Sequence, residues 1–208
     1  MNTALSPRKH PRQPRSAVTV AAILDATARI LVERGYAATS TNAVAERAGV
    51  SVGSLYQYFP NKDALIAALH TRHIEQMRGV IEAGLARAMD AGLEDGLAGL
   101  IEASVDAHRV DADLHRVLQQ QLSGLDVVEP HDKFDEMVQE RIVALLARHR
   151  EALAVTDLRL AAFMLTHSVH ALIHAVVVVR PRGVSLKTAT AEIVRMARAY
   201  LSAPVAPA

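Results

Sequence analysis

The first regular pattern in the chain is helical. From Thr19 onward Val20, Ile23, Leu24, Thr27, Ile30 and Leu31 recur at i, i+3, i+4 and i+7, the spacing that lines one face of an α-helix. Thr19 is placed to cap this helix and Gly35 to end it. Two short helical segments follow, 40–48 and 51–59, parted by Gly49. Pro60 and Asn61 then punctuate the chain, and Asn61 is placed to cap a longer helix carrying Leu65, Leu69, Met77 and Val80. Beyond residue 84 the pattern predicts five more helices, at about 91–109, 111–124, 129–150, 156–179 and 185–202. Gly92, Gly96 and Gly99 weaken the opening turns of the first of these. Val176–Val179 has strand propensity, but it continues the stripe Leu165, Val169, Leu172, and the period decides for helix.

The expectation is therefore an all-α protein of about nine helices. Composition agrees: half the residues are hydrophobic and 3% are aromatic, with alanine and leucine prominent, a balance that favours helix over sheet. The chain has no cysteine, so disulfides, thiolate metal sites and thiol redox sensing drop out, and a reducing compartment fits. No apolar run follows the basic residues at the front, so no secretory leader is expected. Leu160 to Val179 lacks Asp, Glu, Lys and Arg, but it carries His167, His170 and His174. A helix buried in a subunit interface accounts for it better than a membrane span. The expected location is cytoplasmic, with no membrane partner.

Charge divides the chain. Residues 1–62 hold eight Lys or Arg against three acids (8 − 3 = +5), and the rest holds 15 against 19 (15 − 19 = −4). A basic front and an acidic back suggest that the front alone meets a polyanion. Residues 1–16, rich in Pro and Arg, form an expected disordered basic tail. It is either a solvated segment or an arm on DNA.

The informative segment is Thr39 to Lys62, TSTNAVAERAGVSVGSLYQYFPNK. Two short helices that cross closely need a small contact residue and a tight turn, and Ala45 and Gly49 supply them. Val44, Ala48, Val50, Leu55 and Tyr58 fall at the intervals of a small core, and Phe59 is expected to join it. Ser40 and Ser51 are placed as caps. The second helix then turns Val52, Gly53, Ser54, Tyr56 and Gln57 outward, toward a major groove. Gly53 lets backbone approach DNA, and Gln57 suits a bidentate contact to adenine. Ser54, Thr41, Tyr58 and Lys62 suit phosphate oxygens.

The string GYAATSTNAVAERAGVSVGSLYQYFPNKDAL resembles the N-terminal signature of the tetracycline-repressor (TetR) family across roughly residues 18–70. The resemblance implies a three-helix helix-turn-helix domain, a divergent helical ligand-binding and dimerisation domain, and homodimers on palindromic operators. It points to Ser40, Ser51, Gly53, Ser54, Tyr56, Gln57, Tyr58 and Lys62 as DNA-facing. Asn42 departs, standing where many relatives have arginine, so base preference does not carry over. The expected domains are 17–62 for DNA and 63–204 for effector and dimer.

Within the second domain, the last two helices are the expected homodimer face. A small lipophilic effector is expected near His115, Leu118, Gln119, Leu122, Phe134, Met164 and His167. His167, His170 and His174 lie at i, i+3 and i+7, so the alternative is a metal-responsive regulator using zinc or nickel. No HExxH or cysteine accompanies them, and no metal or other cofactor is expected. No nucleophile or acid–base constellation stands out, so the protein is not expected to be an enzyme.

Overall fold

The computed structural model describes residues 14–122 and 131–203, apart from the side chains of Leu122, His131, Asp132, Lys133 and Asp135. Among the described residues there are nine α-helices and no strand. They are α1 (Pro14–Ala38), α2 (Thr41–Ala48), α3 (Val52–Tyr58), α4 (Lys62–Asp90), α5 (Leu93–Arg109), α6 (Ala112–Leu122), α7 (His131–Arg148), α8 (Leu158–His174) and α9 (Leu186–Ser202). A 3-10 turn, Arg150–Ala152, and a π-helical stretch, Ala175–Val179, interrupt the α-helical run.

Thr19 does not cap α1. The helix begins at Pro14, inside the expected tail, and Thr19 Oγ1 donates back to Arg15 O at 3.1 Å. Proline tolerates the first helical turn, where its missing N–H would have no partner. Residues 1–13, the rest of the expected tail, lie outside the described residues. Gly35 does break the helix, with φ 74 and ψ 177. The helix expected to run through residue 179 loosens into π geometry from Ala175 and closes on Arg180 in a left-handed conformation, φ 55.

The chain divides into two compact units at places the sequence pattern did not indicate. Unit 1 is Met1–Glu75 with Asp113–Glu129, and unit 2 is Gln76–Ala112 with Pro130–Ala208. Packing runs on past residue 62, the expected boundary. Ala64, Leu65, Ile66 and Leu69 of α4 are fully buried in the same core as Ile23, Leu31, Val44, Leu55 and Phe59, and Leu114 and Leu118 of α6 join them. Unit 2 packs α5 on α8 and α9, and α8 on α7. Leu97, Ile101, Leu146, Leu165, Ile173, Ile193 and Leu201 fill its core. Leu158–Val179 is long and apolar enough to cross a membrane. In this fold Ala161, Leu165 and Ile173 sink into the core of unit 2.

Candidate nucleic-acid interface

The interface is built by local rules. Ser40 accepts the Ala43 N–H at 3.2 Å and starts α2. Gly49 ends it at φ 67, ψ 30, and its N–H reaches the carbonyls of Ala45 and Glu46. Only a residue tolerant of left-handed backbone makes this turn cheaply. Ser51 accepts the Ser54 N–H at 3.0 Å and starts α3. Asn61 Oδ1 accepts the Ala64 N–H at 2.8 Å and starts α4. Each cap satisfies a donor that the first turn would otherwise leave open.

The α3 helix is two turns long and two-faced. Leu55 and the following Phe59 are buried, and Tyr58 packs partly against the same core. Val52, Gly53, Tyr56 and Gln57 are exposed on the opposite face. A Cβ on Gly53 would meet only Ser51 Oγ, at 3.9 Å, so the backbone there is open to a close approach.

The remaining expected contact residues divide by their partners. Asn42 is exposed. The hydroxyls of Thr41 on α2 and Tyr56 on α3 are 3.1 Å apart, which aligns two phenol and threonine oxygens on one edge of the interface. Ser51 and Ser54 hydroxyls are 2.8 Å apart. Lys62 is half-buried and engaged: its ammonium sits 3.7 Å from the Tyr36 ring centroid and donates to Tyr36 O at 3.2 Å. A cation over an aromatic face is held electrostatically, so its role begins as a bond between α1 and α4.

Sequence patterning missed Tyr36. Its hydroxyl donates a hydrogen bond to Asp63. That bond, with partial burial and the Asp63 charge, pushes the phenol up to about 12. Arg47, one of the eight cations of the basic front, is already paired. Arg47 clasps Glu33 in a two-pronged pair at 2.6 and 2.8 Å, which holds the Glu33 carboxyl below its usual range. Arg15, Arg29 and Arg34, all exposed on α1, remain as basic groups of this unit.

The seven residues expected around an effector are divided between the two units. His115 and Leu118 are buried in unit 1, and Gln119 on the same helix is exposed. The Leu122 side chain lies outside the described residues. Phe134 is buried in unit 2, with the Arg78 guanidinium 5.0 Å from its ring centroid. Met164 and His167 lie on an exposed stripe of α8. The three α8 histidines also part company. His167 Nδ1 donates to Phe163 O at 2.9 Å, whereas the His170 ring lies edge-on to His108 of α5, centroids 5.1 Å apart. Among the described residues no three His, Asp or Glu side chains form a group able to hold a metal ion, so the metal-sensing alternative gains no support from them.

Two capped helices joined by a left-handed glycine, with an exposed second helix, define a helix-turn-helix protein. Residues 23–69 match the family described as bacterial regulatory proteins, tetR family, and residues 92–201 match the tetracyclin repressor-like C-terminal domain. The chain belongs to the TetR family of transcriptional regulators, which are not enzymes. It is 47% identical over 70 residues to the HTH-type transcriptional repressor KstR of Mycolicibacterium smegmatis, covering 34% of this chain and 32% of that one. It is 40% identical over 60 residues to the uncharacterized HTH-type transcriptional regulator YvkB of Bacillus subtilis, covering 29% of this chain and 32% of that one. These matches thus span about a third of the relatives' length. Among solved structures, a putative TetR-family regulator from Mesorhizobium loti superposes with TM-score 0.71 at 19% identity, over 90% of this chain and 97% of that one. NalD of Pseudomonas aeruginosa, the secondary repressor of the MexAB-OprM multidrug efflux pump, superposes with TM-score 0.69 at 23% identity, over 91% and 98%. At these identities the likeness is one of fold.

Proposed function

We propose that the protein is a cytoplasmic repressor that binds a palindromic DNA operator as a homodimer and is released by a small lipophilic effector. The observation that carries DNA binding is the exposed face of α3, where Val52, Gly53, Tyr56 and Gln57 stand clear of a core closed by Leu55 and Phe59. Gln57 reads a base edge, and Thr41, Ser54, Tyr56 and Tyr58 hold phosphates. Lys62 reaches phosphate only by leaving the Tyr36 ring. Repression rather than activation is supported by KstR, a named repressor. FasR of Mycolicibacterium smegmatis, 31% identical over 96 residues, is a named activator, so the sign of regulation needs its own assay.

The dimer reading rests on α8. Leu160, Phe163, Met164, Leu172 and Val179 are 54%, 46%, 44%, 38% and 67% exposed, and Met196 of α9 is exposed as well. An apolar stripe of this length on a water-facing helix marks a surface that a second copy covers. The effector reading keeps Phe134, buried in unit 2 beneath Arg78, as its best-placed residue.

Selection of bound sequences from random duplex DNA tests the proposal. The expected result is a palindrome whose recovery weakens with Gln57→Ala, by about 1–3 kcal/mol at one base position. Selection of no sequence above background at moderate salt overturns it.

A further inference from the structure

Two imidazoles buried in unit 1 take no part in the interface. His73 on α4 and His115 on α6 are 1% and 5% exposed, and His73 Nε2 lies 3.0 Å from His115 Nδ1. A bond between two imidazole nitrogens needs one nitrogen carrying a proton and the other offering a lone pair. Two neutral rings meet that need. One added proton keeps the bond but puts charge into a closed core, which is costly. A second added proton turns both nitrogens into donors facing each other at hydrogen-bond distance, and the bond is gone.

The position of the pair gives the proton count a consequence. Leu114 and Leu118, on either side of His115, are 4% and 1% exposed in the core that also holds Leu55 and Phe59 of the helix-turn-helix. Among the described residues, α6 is the part of unit 1 that lies beyond Glu75 in sequence. Its seating on α4 therefore completes the core on which α3 stands. The ionisable groups nearest the pair along the packed elements are His70, Arg72 and Glu75 on α4, Asp111 just before α6, Asp113 and Arg116 on α6, and Asp25 and Arg29 on α1. Arg72 is bound to Asp25 at 2.7 Å, and Arg116 lies 3.7 Å from Asp113. His70, 6% exposed, is the other buried imidazole on this stretch of α4, one turn before His73.

We propose that the His73–His115 bond is a proton-sensitive latch that seats α6 on α4 and loosens the DNA-binding unit on acidification. The unfolded chain binds protons on both imidazoles below about pH 6.5, whereas the latched fold excludes at least one of them. Stability from this pair is therefore complete above the ordinary imidazole range and is lost as pH falls through it. Loss of operator affinity over the same interval rests on the DNA-binding reading above.

The test compares urea unfolding of the full chain at pH 7.5, 6.5 and 5.5 with that of the double variant His73→Gln/His115→Asn. The amide ends of Gln and Asn occupy the positions of Nε2 and Nδ1 and keep a donor–acceptor pair that does not titrate. The wild-type unfolding constant is expected to rise more steeply on acidification, by up to about tenfold per pH unit for each excluded proton. Equal slopes overturn the latch. Nitrogen-15 imidazole spectra of the wild type keep the question decidable if the variant fails to fold. A pair that keeps at least one ring neutral as pH falls through the ordinary imidazole range supports the latch, and two rings that both protonate within that range while the chain stays folded overturn it. A chain that binds no duplex at any pH refutes the DNA-binding reading, while the unfolding slopes still decide the latch.

Discussion

Glycine within a helix usually costs stability, because it has more backbone freedom to lose than alanine. Gly79 and Gly84 both lie in α4, yet they should answer substitution with opposite signs. A Cβ at Gly79 meets nothing within 4 Å, so Gly79→Ala should stabilise by about 0.5–1 kcal/mol. A Cβ at Gly84 would stand 2.3 Å from Ala103 Cβ, a methyl group fixed to the backbone of α5 that cannot swing away. Gly84→Ala should destabilise by about 1–3 kcal/mol through overpacking, less the propensity gain. Urea unfolding of the two variants checks both, and a stabilised Gly84→Ala would refute the close helix approach. This contrast marks what was legible at the scale of the residue. Ser40, Gly49, Ser51 and Asn61 act on atoms within four positions of themselves, so type and spacing sufficed to place them. Gly84 looks like Gly79 in sequence, because its meaning lies in a residue nineteen positions away that only packing brings near.

At the scale of the element, the junction of α1 with α4 shows how one side chain can serve several contacts. The break at Gly35 is followed by Tyr36, whose ring lies under Lys62 and whose hydroxyl donates to Asp63. Two consecutive residues at the start of α4 thus hold the end of α1. The phenol must stay protonated to donate, and its folded value of about 12 lies above the ordinary 10.0. For an acid raised on folding, the stabilisation is complete below pH 10 and fades as pH climbs toward 12. An alkaline loss of stability in that window is therefore expected, and Tyr36→Phe should lower stability at neutral pH while flattening the alkaline limb. Identical alkaline limbs in the two proteins would remove the Tyr36 phenol as the cause. The periodicity of α1, α4 and α9 was readable because each buries a stripe at helical spacing. The start of α1 was not, since Thr19 has the chemistry of a cap and only the helical course of residues 14–18 turns its hydroxyl back to Arg15. The π-helical end of α8 likewise changes register without changing composition. Lys62 was read as a phosphate ligand because a lysine beside a helix-turn-helix suits that role, while its aromatic partner lies 26 residues earlier in the chain.

For the whole molecule, the charge balance sets a basic front against an acidic back, while the two compact units divide elsewhere, because the core of unit 1 takes in α6 from far along the chain. The exposed stripe on α8 remains as the feature whose meaning requires a second molecule. Residues 160, 163, 164, 167, 171 and 175 follow one another at helical spacing and are all exposed, although the helix around them is apolar enough to pass for a membrane span. On the proposed dimer this stripe would pair with its own copy about a two-fold axis, and two joined recognition helices would then engage a palindrome with one effective concentration. Phe163→Glu places a carboxylate in the middle of that stripe without touching the buried positions Ala161, Ala162 and Leu165. The expected outcome is a folded monomer by sedimentation equilibrium, with an unchanged helical spectrum. Its affinity for a full operator should drop about a hundredfold or more, toward that for a single half-site. A variant that stays dimeric would move the subunit interface off this face of α8. A monomer that keeps full affinity would instead separate dimerisation from operator reading.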